Sequence, residues 1–109
     1  MPTAYKVLGQ SAPSATTDTT LYTVPSSTSA VVSTISVCNR DTASGTFRIA
    51  VRPAGASIAN QHYVVYDAAL GANATATFTL GVTLATTDVV TVRASTANFS
   101  FSAFGSEIS

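Results

Sequence analysis

The chain has 109 residues, 46% of them apolar and 9% charged, with five basic and five acidic side chains and no net charge. That length and apolar content specify one domain around one core. Charge far below the ordinary ~25% excludes the basic stripe that a nucleic-acid backbone requires. Thr, Ser and Ala take the place of the missing charges, so little repulsion keeps copies apart, and the surface is suited to being covered by other protein.

The single cysteine, Cys38, makes no internal disulfide and no metal cage. In a small domain the lack of staples is consistent with a reducing cytoplasm. Its default role is that of a small buried hydrophobe. Met1 to Gln10 lacks the basic start and apolar run of a signal peptide, so a complete, unexported chain is expected. No stretch reaches the ~18 apolar residues of a membrane span.

In chain order, Tyr5 to Gln10 reads as a first strand, more apolar than a frayed terminus needs. Ser11 to Thr20 is near low complexity, so residues 1–19 are expected to be an N-terminal strand or arm plus linker. Thr20 to Val24 is a short strand stopped by Pro25. Ala30 to Cys38 places Val31, Ile35 and Val37 on one parity, with Ser33 interrupting. In Thr46 to Arg52, Phe47, Ile49 and Val51 alternate with Thr46, Arg48 and Arg52, and Pro53 ends the run. Gln61 to Ala68 has apolar residues on both parities. Ala74 to Val82 sets Ala74, Ala76, Phe78, Leu80 and Val82 against a ladder of threonines. Asp88 to Ala94 puts Val90, Val92 and Ala94 inward, and Asn98 to Ala103 does the same with Phe99, Phe101 and Ala103. About eight short strands with turn-forming clusters between them predict an all-β fold. The expected architecture is a single-domain antiparallel β-sandwich over residues 1–109, either jelly-roll or immunoglobulin-like.

Catalytic chemistry finds no foothold. His62 is the sole histidine and lies in a strand-like run, with no nucleophile placed beside it by sequence. Asp18, Asp41 and Asp88 occupy turn positions, where Asp caps its own backbone. Asp67 and Glu107 end strands, and no spacing pairs them for acid–base work. Phosphate loops, dinucleotide fingerprints and calcium loops are absent from the sequence. The expectation is a non-enzyme without cofactor or metal. There is no Trp, and Tyr63 and Tyr66, three apart in one strand, should face opposite sides. One of them is then exposed, at a protein interface or as a sugar platform. The interface candidates are Tyr5, Leu8, Tyr22, His62, Tyr63 and Tyr66.

The run Leu21-Tyr22-Thr23-Val24-Pro25, a Ser/Thr loop, and then Ala30 to Arg40 resembles small virion structural proteins of tailed bacteriophages, of the cyanophage and marine-phage type. Phe47 to Arg52 and the Thr-rich second half extend the resemblance over most of the chain. It implies a structural role in the particle, foremost as a capsid decoration (cement) protein stabilising capsomer junctions. The alternative is a tail, baseplate or fibre component with glycan or host-surface binding. The implied partners are the major capsid protein or other virion proteins and further copies of the chain, with a trimer favoured. Nucleic acid and membrane are not expected partners, and the implied location is the virion after synthesis in the host cytoplasm.

Overall fold

The computed structural model describes residues 3–79 and 81–109. Among them, alternating apolar residues build nine strands. These are β1 (Thr3–Ser11), β2 (Thr19–Thr23), β3 (Ser29–Asn39), β4 (Gly45–Arg52), β5 (Tyr63–Leu70), β6 (Thr75–Phe78), β7 (Val82–Leu84), β8 (Val89–Ala94) and β9 (Phe99–Ile108). One antiparallel sheet runs β1-β9-β3-β6, with β7 also paired to β3, and the other runs β2-β8-β4-β5. If β6 and β7 are taken as two halves of one edge strand, the pairing is nested. The first strand pairs with the last, the second with the one before it, and so inward to the β4–β5 hairpin. A two-stranded ribbon rolled up in this order is a jelly roll, so the pairing selects between the two expected sandwich topologies.

The core lies between the sheets. Phe47 of β4 meets Phe78, Phe99 and Phe101 of the opposite sheet, with ring centroids 5.8, 6.1 and 6.2 Å away. Tilted and edge-on geometry at these separations suits the ring quadrupoles. Val32, Ile35, Val37, Ile49, Val90 and Val92 fill the space around the rings and are buried. Buried Asn39 ends β3, and its carboxamide donates to the carbonyls of Ala43, Leu70 and Gly71 while accepting from the Asp41 N–H. One side chain thereby fixes the loops after β3 and β5 and leaves no orphaned polar group at the core's end.

Several strands depart from the expected pattern because of bulges. In β3 the register slips between Val32 and Thr34, so the extra residue, Ser33, reverses the parity. Ala30 and Val32 join Ile35 and Val37 in the core, and Val31 faces out. The expected strand from Ala74 to Val82 is two strands, β6 and β7, separated by residues that include Gly81 at φ +63°. Leu80 lies outside the described residues. The strand expected to end at Ala103 continues to Ile108 as β9. Cys38 is half-buried on the outer face, in register with Thr75 and Ser100, rather than in the core. Residues 3–11 pair along β9, and the following loop is tied down by the Thr16 N–H donating to the Ala94 carbonyl at 2.7 Å.

The four-ring cluster gives a direct test. Phe47→Ala should cost about 3–5 kcal/mol, a large part of the ~5–15 kcal/mol that stabilises a domain. Outward-facing Phe104→Ala should move the denaturant midpoint little. Equal midpoints for the two variants would contradict this placement of the core.

Candidate functional site

The outer face of the β1–β9–β3 sheet is mostly a lawn of Ser and Thr: Ser100, Ser102, Thr34, Ser36, Thr75 and Thr77 lie along it. At one end the pattern changes. Val7 stands in register with Phe104, and in the next outward row Tyr5 is followed by Ser106 and Val31. Tyr5 is 84% exposed, Val7 49% and Phe104 37%. With Val31 they line an open groove of about 570 Å³. Two bulges flank Phe104, one in β1 between Val7 and Gly9 and one in β3 between Val32 and Thr34. The Ser33 hydroxyl, from the bulged residue, donates to the Phe104 carbonyl at 3.0 Å. A Cβ on Gly105 would overlap the Val31 carbonyl, so only glycine lets β9 lie so close to the β3 bulge. Bulges re-aim side chains and bend the strand that carries them. Here they turn Tyr5 and Val7 of β1 and Val31 of β3 outward, beside Phe104, which the unbroken alternation of β9 already places on that face.

Behind this face a charged cluster closes the sandwich. Glu107 points inward from β9, accepting from Lys6 Nζ at 2.7 Å and from the Tyr22 hydroxyl at 2.5 Å across the gap between the sheets. The Lys6 ammonium and the Tyr22 hydroxyl together hold the Glu107 carboxyl below the usual glutamate range. Burial first, and then the neighbouring carboxylate, push the Tyr22 phenol up.

The outer face of the β2-β8-β4-β5 sheet carries three arginines, each engaged. Arg48 grips Asp67, Arg93 lies 3.6 Å from Asp18, and Arg52 donates to the Thr91 hydroxyl at 3.1 Å. Tyr63 and Tyr66 share this face instead of opposing each other. The register of β5 slips once between its Tyr63 and Val65 pairings and again between Val65 and Ala68, and the extra residues bring both rings to one side.

Of the six expected interface residues, Tyr5 is the most exposed and Leu8 packs at the margin of the core. Tyr63 and Tyr66 form a surface pair. Tyr22 is buried, with its hydroxyl committed to Glu107, so it does not face a partner from outside. His62 is also buried and lies in a short 3-10 turn, Asn60–His62, before β5 rather than within a strand. Its Nδ1 accepts from the Ala59 N–H at 3.0 Å, which closes that turn. Val7, Val31 and Phe104 were missing from the expected set. Extending the alternation of Phe99, Phe101 and Ala103 by one residue would have put Phe104 outside. Among the described residues, no group of three or more His, Cys, Asp or Glu side chains is placed to hold a metal ion, and no helix is long and apolar enough to cross a membrane.

A carboxyl held below its ordinary pKa adds stability that is complete above the unfolded value, ~4.3 for Glu. That stability drains away as pH falls through the lower native value. Glu107→Gln does not titrate at this position. Below about pH 5 its unfolding free energy should therefore fall less steeply with acid than that of the wild type. Parallel curves in acid denaturant titrations would show that the Lys6–Glu107–Tyr22 cluster is energetically silent.

No family model, curated protein or solved structure matches the chain.

Proposed function

We propose that this protein is a non-enzymatic structural component of a phage virion, a decoration protein that seats on the outer shell and stabilises the junctions between capsomers. The observation that carries the reading is the apolar patch of Tyr5, Val7, Val31 and Phe104 at one end of a face otherwise mostly Ser and Thr, the first three turned outward by bulges in β1 and β3. Aromatic anchors bordered by small polar residues have the composition of a protein interface with its polar rim. The resemblance of the Leu21–Arg40 region to phage virion proteins supplies the partner, the major capsid protein.

The absence of net charge supports the same reading. Decoration crowds many copies on one shell, and a neutral surface imposes no repulsion between neighbours. Each contact can be modest because a closed shell repeats it, and an oligomer at a symmetry axis, such as a trimer at a three-fold junction, multiplies the attachment points. The jelly roll suits the task because its nested pairing leaves two broad outer faces, one free for the shell and one for solvent.

Loss of a central aromatic anchor typically costs ~2 kcal/mol, or roughly 30-fold in affinity. Tyr5→Ser and Phe104→Ser should each weaken binding of purified protein to undecorated heads by about that factor. The decorated heads should also lose their added resistance to heat. Binding of both variants at wild-type affinity would overturn the assignment of this face.

A further inference from the structure

The opposite sheet carries a second surface that packing against a shell does not explain. The Tyr63 and Tyr66 rings meet edge to face, 4.8 Å apart at 79°. The Arg48 guanidinium lies 4.2 Å from the Tyr66 centroid and 5.8 Å from that of Tyr63. Arg48 is in turn held flat by Asp67, Nε to Oδ1 at 2.6 Å and an outer nitrogen to Oδ2 at 3.2 Å. Asp67 reaches this position at φ +49°, a left-handed conformation that Asp adopts more readily than most residues, within the β5 bulge. The result is an immobilised aromatic pair beside an open depression of about 390 Å³ lined by Asn60, Tyr63 and Tyr66.

Arg48 covers one side of Tyr66, yet the residue remains 59% exposed, so ring surface stays available. Solvent-exposed Asn60 completes the lining, while the Arg48–Asp67 pair supports the rings without lining the depression. The pair is internally neutralised, so it adds no field that would select an anion. An apolar protein side chain set on these rings would strip water from Asn60 without replacing its hydrogen bonds. A pyranose replaces them. Its C–H face, weakly positive, lies on the negative face of a tyrosine ring, and its hydroxyls reach the planar amide of Asn60.

The geometry points to a binding platform for a neutral pyranose, built from Tyr66 and Tyr63 with Asn60 as the hydrogen-bonding partner and Arg48, held by Asp67, as the positioning residue. The platform lies on the sheet opposite the Tyr5–Phe104 patch, so a shell-bound copy could engage a glycan on its far side. The inference does not depend on the virion reading.

The test is an amide-resolved NMR titration of the full chain with cellotriose and with lactose. The expected result is a set of shifts confined to Arg48 and Asn60–Asp67, with a Kd on the order of millimolar, as befits a small ligand on one open surface. Tyr66→Ala and Asn60→Ala, both at exposed positions, should each weaken the response about 10-fold, equivalent to ~1.4 kcal/mol. Tyr5→Ser should leave it unchanged, which separates this site from the shell-facing patch. Two results would overturn the proposal: no shift with either sugar at the highest soluble concentration, or shifts that persist undiminished in both variants.

Discussion

The contact on which the rest of the structure depends is that of Phe47 with three phenyl rings of the facing sheet. Nested strand pairing brings together residues from opposite ends of the chain, and its loop-closure entropy must be offset by burial. A four-ring cluster at the centre concentrates that burial where both sheets contribute. With Phe47, Phe99 and Phe101 committed inside, one outer face is left mostly to Ser and Thr, and the other carries engaged arginines. Large side chains that nevertheless face out, at Tyr5, Val7, Phe104 and Tyr66, stand clear of that background. Scattered single exposed hydrophobes need no explanation, but adjacent ones on a polar face do.

The few charges are used locally. Lys6 pairs with Glu107 on the neighbouring strand, leaving Glu107 to take the Tyr22 hydroxyl across the gap between the sheets, Arg48 and Asp67 clamp the β4–β5 edge, and Arg93 lies near Asp18. Arg40 donates to the Ser100 hydroxyl at 2.7 Å, and Asp88 accepts from the Ala54 and Ala85 N–H groups. Exposed pairs of this kind add at most ~1 kcal/mol each, so their main consequence is positional. They hold loops and side chains in place while leaving the molecule without a strong field. A neutral particle of this kind can be packed densely against copies of itself, and its two outer faces can specialise independently.

The sandwich and most strand positions were legible in the sequence because period-2 alternation survives wherever strands are regular, as in Phe47, Ile49 and Val51 or Phe99, Phe101 and Ala103. Two of the errors fall at bulges, where extra residues change the face a side chain takes. Val31 and Val32 exchange faces around Ser33, and Tyr63 and Tyr66 come to share a face across the irregular register of β5. No local pattern announces those slips, since each depends on which strand lies alongside. Jelly-roll order was equally out of reach, because it is a property of distant pairings. The candidate surfaces inherit the same limits: Tyr5 and Tyr66 were nameable as amphipathic side chains, whereas the Arg48–Asp67 clamp exists only once β4 and β5 are paired. Burial of Tyr22 follows from inward-pointing Glu107, a carboxylate that sequence alone would leave in solvent at a strand end.

We propose that this jelly roll sits on the shell of a virion with its β1–β9–β3 face turned inward. The most direct measurement is a cryo-electron microscopy reconstruction of particles that carry the protein. The expected result is jelly-roll density on the head, repeated at capsomer junctions, with Tyr5, Val7 and Phe104 in contact with the major capsid protein. Density on the tail, or head density with that face open to solvent, would contradict it.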